Sequence, residues 1–408
     1  MTAGNELEPE IDNSASKQSV RPPKPRSRIG AILGLLLVVY FVAVWRTGHW
    51  NPLSSSSNLA LSFDGDTQGL KATQIVPTLD TPIEKGKNVI WCATFAAGWK
   101  QLQQKVTNGP VNLTDAAEVC ARLNAAPDPA PTMPPEAFYA NAGTTDKGII
   151  QTIHHDMRSK FPKHIPPAFE GVPGGGFVLY SYIEARVPFT LKYSNNPAPL
   201  EFTGSDGEKT AIRSFGFGSP DYKKHRLKEQ PCVLVVRAQD PPPKPPERAK
   251  LVSYAVDLCR DSRPYQIVVA RVERKPSLAA TLDSLDEEIK AFETKGGVES
   301  LSEGILRVPD MFWGLSHHYR ELEERRIVNP EMQGQSVDIA LQDIQFRLDR
   351  SGADVASESE STPVSAVYEH ESNYVFDGPF LLYIKKRGDA TPFFVMWIDN
   401  AELLQRWG

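Results

Sequence analysis

Near its carboxyl end the chain carries two short, almost unbroken apolar runs, 379–384 and 392–398, on either side of the charged turn Lys385-Lys386-Arg387-Gly388-Asp389. Neither run is long enough for an ordinary globular helix, and neither alternates with polar residues, so each predicts a strand covered on both faces. A polar stretch rich in Ser and Glu, 351–373, comes just before them. A chain that ends this way has to place a sheet deep in its core and hang a long polar loop from it.

Upstream, residues 88–106 carry Trp91, Phe95, Trp99, Leu102 and Val106 at helical spacing, which predicts a one-faced helix. A second helix is expected over 115–125, opened by Asp115 with Glu118 as a capping pair, and a third over 149–161. Residues 277–293 give the clearest helical pattern, with Leu278, Leu282, Leu285, Ile289 and Phe292 on one face. Strand-like runs rich in β-branched and aromatic residues occupy 177–183, 188–193, 210–217, 232–237, 251–258 and 266–272. With several helices toward the amino end and strands beyond, the fold class expected is α+β with large sheets.

Residues 29–45 contain no charged side chain, and Lys24, Arg26 and Arg28 stand just before them. At about 1.5 Å per residue such a run spans roughly 25 Å, slightly short of a typical hydrocarbon core, and with Trp45 and Trp50 as interfacial anchors it predicts a single transmembrane helix. The run is longer than a usual signal-peptide core, and no small-residue cleavage site precedes Arg46, which disfavours a cleaved leader. The expected layout is a cytoplasmic tail over 1–28, a membrane helix over 29–45, a stalk over 46–76 and an extracytoplasmic folded domain over 77–408.

A net charge of −5 gives no basis for a nucleic-acid partner. The four cysteines Cys92, Cys120, Cys232 and Cys259 lack zinc-site spacing; outside the cytoplasm they allow disulfides, proximity in sequence favouring Cys92–Cys120 and Cys232–Cys259 with the other two connectivities left open, and four buried free thiols are an equal reading. His154-His155-Asp156, His164 and His317-His318 show no spacing that aligns two imidazoles for a metal, and the glycines of 171–176 lack the Lys-Ser/Thr ending of a phosphate loop. No nucleophile elbow surrounds Ser181 or Ser316. The sequence therefore points to a protein without a cofactor that is not an enzyme.

The segments Phe376-Asp377-Gly378-Pro379-Phe380-Leu381-Leu382-Tyr383-Ile384 and Pro392-Phe393-Phe394-Val395-Met396-Trp397-Ile398-Asp399-Asn400 resemble the carboxyl-terminal signature of serpins. In the same order, 88–93 is similar to the opening of the family's second helix, and 177–183 with Val187-Pro188-Phe189 to its central strand. Residues 305–312 are similar to its Leu-Pro-Lys-Phe strand, and 344–349 to the strand entering the reactive loop. The resemblance implies a serpin-like fold and a proteinase or other protein as partner. It also implies a loop hinge at Gly352, Ala353, Asp354, Val355 and Ala356, and a scissile bond between Ala366 and Val367, with Tyr368 as the alternative.

In serpins the cut loop inserts as a new strand, so residues turned inward must be small. Ala353, Val355, Ser357, Ser359 and Ser361 meet that demand on one parity. Several departures weigh against inhibition: Glu358 and Glu360 interrupt the hinge, Cys92-Ala93 replaces a Ser-Pro, Ser181 stands where the family has Asn, and the Trp after the central strand is missing. Two functions follow as expectations, a membrane-anchored proteinase inhibitor and a non-inhibitory interaction protein on the same fold.

Overall fold

The computed structural model describes residues 61–169, 172, 174–185, 187–218, 225–240, 251–297, 299–301, 304–332, 334–353 and 372–408. The chain opens with β1 (Phe63–Asp66) and β2 (Thr73–Ile75), then β3 (Asn88–Cys92), which runs straight into α1 (Ala93–Leu102). α2 (Ala117–Ala125), β4 (Phe138–Thr144) and α3 (Ile149–Lys160) follow, leading to β5 (Phe177–Ala185) and its short continuation β6 (Val187–Pro188). The middle of the chain supplies β7 (Ser194–Asn195), β8 (Leu200–Thr203), β9 (Lys209–Ile212), β10 (Ser214–Phe217), β11 (Cys232–Ala238), β12 (Leu251–Asp257) and β13 (Tyr265–Arg271). After α4 (Leu278–Glu293) come β14 (Glu299–Ser300), β15 (Gly304–Pro309), β16 (Met311–His318), β17 (Arg325–Arg326), β18 (Ser336–Leu348) and β19 (Gly352–Ala353). β20 (Ser372–Val375), β21 (Phe380–Lys386) and β22 (Phe394–Ile398) complete it.

Three larger sheets and two strand pairs, β6 with β19 and β8 with β9, organise the described strands. The central one has the order β1-β16-β18-β5-β4, with β17 on β18; a second runs β14-β11-β12-β13-β21-β22-β3-β2, and a third β20-β15-β10-β7. The two carboxyl-terminal runs pair with each other as β21 and β22 and sit inside the second sheet, buried throughout except at Lys385 and Lys386. Their unbroken hydrophobicity is the consequence of having both faces covered.

β5 shows how two cores share one strand. Phe177, Leu179 and Ile183 enter the main core, while Val178, Tyr180 and Tyr182 enter a smaller cluster with Ile149, Ile153 and Met157 of α3. Those three α3 residues recur at every fourth position, so one stripe of the helix seals the outer face of the sheet. On the other face α1 packs so tightly that a Cβ on Gly98 would lie 2.9 Å from Leu179 Cδ2.

The α+β expectation holds, and α4 begins where its pattern indicates, with Ser277 Oγ accepting from the Ala280 amide at 3.1 Å. Other expectations change. The first half of the helix expected over 88–106 is the strand β3, buried at all its positions, because Val89, Ile90 and Trp91 fill a central place between β22 and β2. Trp91 and Phe95 keep helical spacing only across the strand-to-helix junction. Asp115 does not cap α2; it adopts a left-handed φ of 56°, and the cap is Ala116. Of 188–193, only Pro188 lies in a strand, β6. The distal part of the expected stalk is woven into the fold, since β1 pairs with β16 and β2 with β3.

No helix among the described residues is long and apolar enough to cross a membrane; the apolar run 29–45 lies outside them.

Candidate functional site: the seam of the central sheet

β5 and β18 run parallel and side by side, paired from Phe177 opposite Val337 to Ala185 opposite Phe346 with a bulge between Val337 and Ile339. Parallel neighbours cannot be joined by a tight turn, and here they are contributed by segments far apart in sequence. The line between them is the seam of the central sheet, closed by the ladder of the two parallel strands. Polar groups gather along it on each face and at its head.

On the core face Gln342 is fully buried in β18 beside Ser181 of β5. Its Nε2 donates to Thr94 Oγ1 at 2.7 Å and to the Cys92 carbonyl at 3.2 Å, and its Oε1 accepts from Tyr319 O–H at 2.8 Å. β18 is thereby tied to the start of α1. The Ser181 hydroxyl is buried without a hydrogen-bond partner, an uncompensated desolvation cost.

On the outer face Asp343 collects donors from three elements. Ser316 O–H of β16 donates to Oδ1 at 2.6 Å, Tyr180 O–H of β5 donates to Oδ2 at 2.8 Å, and His164 Nε2 lies 3.2 Å from the same Oδ2. His164 belongs to the segment following α3, sits 3.1 Å from the Tyr180 hydroxyl and stacks on Tyr182 with ring centroids 4.2 Å apart. Burial and the Asp343 charge push the Tyr180 hydroxyl far above the ordinary phenol range. Tyr180 therefore stays a donor at every physiological pH, and the cluster acts as a brace over the seam.

At the head, Asp349 and Gly352 exchange backbone bonds, Gly352 N to Asp349 O at 3.0 Å and Asp349 N to Gly352 O at 3.2 Å. Gly352 has φ 102°, and a Cβ there would meet Val187 O at 2.4 Å, so only glycine fits the turn. The chain then doubles back: β19 pairs antiparallel with β6, Gly352 opposite Pro188 and Ala353 opposite Val187. Asp310 lies buried nearby, its Oδ1 without a partner and its Oδ2 3.6 Å from Arg213 Nε. Burial, with Asp349 adding to it, pushes its carboxyl up to about 7 despite Arg213, Arg347 and Arg350.

Of the hinge and bait residues named from sequence, Gly352 and Ala353 stand at the head of the seam, whereas Asp354, Val355, Ala356, Ala366, Val367 and Tyr368 lie outside the described residues. The chain is picked up again in β20, which pairs parallel with β15 in the third sheet. Cys92, Cys120, Cys232 and Cys259 are free, buried thiols rather than disulfides. The Cys92 thiol, 3.3 Å from Thr94 Oγ1, is pushed up to about 11 by burial and is inert at neutral pH. No group of His, Cys, Asp and Glu among the described residues is arranged to hold a metal.

Sequence reading did not foresee Gln342, Asp343, Tyr180, Ser316 or His164 as one site. Its only trace is the polar pair Gln342-Asp343 set between Ala340-Leu341 and Ile344, too many uncompensated groups for the middle of a buried strand.

No family model matches the sequence, and no curated protein matches it. Solved structures do. Human kallistatin is 11% identical with a TM-score of 0.48, over 77% of this chain and 92% of that one. Human thyroxine-binding globulin, in complex with thyroxine, is 10% identical with a TM-score of 0.46, over 77% and 92%. Serpin48 of the insect Tenebrio molitor is 11% identical with a TM-score of 0.44, again over 77% and 92%. At such identities and TM-scores these are likenesses of chain path, and none of them carries a function to this chain.

Proposed function

We propose that the protein is a membrane-anchored, serpin-like proteinase inhibitor, in which cleavage of the loop near 351–373 lets the hinge end enter between β5 and β18. The observation that carries this reading is the head of the seam. β18 already turns at Gly352, and β19 already lies antiparallel to β6, the direction an entering strand needs. Extending that register sets Val355 opposite Ala185, Ser357 opposite Ile183, Ser359 opposite Ser181 and Ser361 opposite Leu179. The small residues would then face the main core, and Ser359 would arrive beside the partnerless Ser181 hydroxyl. The partner is a proteinase. The anchor is the run 29–45, with a cytoplasmic amino terminus and an extracytoplasmic domain, supported by the basic residues before it and by Trp45 and Trp50.

A non-inhibitory interaction protein is the second reading, favoured by the same register. Insertion would set Glu358 opposite Tyr182 and Glu360 opposite Tyr180, on the face where Asp343 already lies buried. Crowding two more carboxylates there costs several kcal/mol unless they take up protons.

The deciding experiment is thermal unfolding of the protein before and after a clean cut within 362–372. Insertion adds a strand and raises the melting temperature, whereas an unchanged melting temperature leaves the interaction protein. Incubation with elastase-like and chymotrypsin-like proteinases separates the readings further, because only an inhibitor gives an SDS-stable complex with release of the carboxyl-terminal fragment.

A further inference from the structure

A cavity of about 300 Å³ opens beside β4, between that strand, the start of α3 and the chain entering β18. Ile149, Phe177 and Met332 give it apolar walls, and Lys105 and Lys147 line it against the single carboxylate of Asp146. Lys105 is held in place by donating from Nζ to Asn141 Oδ1 at 2.9 Å.

Two further observations point to a ligand. Thr144 lines the cavity at 7% exposure with its hydroxyl unpartnered, and Gln335, which also lines it, has a partnerless Oε1. α3 begins at Ile149 with no acidic residue in its own first turn and no side-chain cap, so only Asp146 in the preceding turn stands near the positive end of its dipole. Cavities of this size with apolar walls and a few polar groups suit small organic ligands.

We propose that this cavity binds a small amphiphilic anion, an aromatic or short-chain carboxylate or sulfonate. Its apolar body would rest on Ile149, Phe177 and Met332, and its head would meet Lys105, Lys147 and the start of α3. A ligand there would join β4 and the first residue of β5 to the chain entering β18. The proposal does not depend on loop insertion.

The test is calorimetric titration of the full chain with naphthalene-2-carboxylate and with the neutral naphthalene-2-carboxamide. Saturable one-to-one binding of the acid is expected. The amide should bind about tenfold more weakly, and so should the acid to a Lys105→Gln, Lys147→Gln double variant, a loss of about 1.4 kcal/mol. Thr152→Trp, a change at an exposed wall residue, should fill the mouth and abolish binding while leaving the melting temperature unchanged. No saturation by about 1 mM acid, or binding that survives Thr152→Trp, would overturn the site. Equal binding of acid and amide would overturn the assignment of an anion.

Discussion

The Tyr180 hydroxyl donates to Asp343 Oδ2 at 2.8 Å across the line where β5 and β18 meet, so one hydrogen bond spans the two strands that would have to part for another to enter. A hydrogen bond to a buried carboxylate contributes about 1.5–3 kcal/mol. Tyr180→Phe keeps the ring and its packing and should lower stability by about 2 kcal/mol, read from the denaturant midpoint. It should also raise the rate at which the cut loop is taken up, if uptake occurs.

His164 extends the same brace from outside the sheet. His164→Ala removes its contacts with Asp343 and Tyr180 and its stacking on Tyr182. Hydrogen exchange should then quicken at the backbone amides of 180–182 and 341–344, while those of β21 and β22 stay protected. Uniform loss of protection throughout the domain would show that the brace is not local.

Asp310 and His317 set opposing pH dependences. The Asp310 carboxyl is raised to about 7, so the folded state holds a proton that the unfolded state releases near 4; its stability contribution is full in acid and lost as pH rises toward 7. His317, packed beneath Thr67, is lowered by burial to about 4, so its contribution is full above 6.5 and lost as pH falls toward 4. Between pH 4.5 and 6.5 the two slopes oppose each other. Asp310→Asn should leave stability rising with pH in that window relative to the parent, and His317→Gln should leave it falling, each by about 1.4 kcal/mol per unit at most. Urea titrations at several pH values check both signs.

Gly352→Ala places a Cβ against Val187 O in a left-handed backbone and should cost about 1–3 kcal/mol locally. The expected sign is faster amide exchange at Gly352 and at Phe189, whose N–H donates to Ser351 O at 3.0 Å.

Topology and bait are tested in cells and with purified protein. Reversing the charge of Arg26 and Arg28 should weaken the orientation signal, seen as mixed protease accessibility of the domain on intact cells, and salt washing should not release the parent protein. Ala366→Arg should redirect trapping to a trypsin-like enzyme if Ala366–Val367 is the bait bond.

The parts of the fold legible in the sequence are those whose burial is one-sided or complete over a whole element. The leucines of α4 mark one face, and β22 together with β21 as far as Ile384 is an unbroken apolar run. β3 was hidden because its last aromatic stands four residues before Phe95, so a strand and a helix together imitate one helix. The seam was illegible for a different reason. Tyr180 and Asp343 are 163 residues apart, and His164 and Asp343 are 179, and no local period encodes a meeting of that range. The resemblance could make Gly352 a hinge residue but not reveal which backbone it crowds.

The pairing of β1 with β16 also decides where the domain can be cut free. A soluble version begun at residue 77 would discard Phe63–Asp66 and bare the backbone donors and acceptors along one side of Met311–His318. Such an open edge invites other chains to pair with it, so that version should aggregate, whereas one begun at residue 61 keeps its own edge covered.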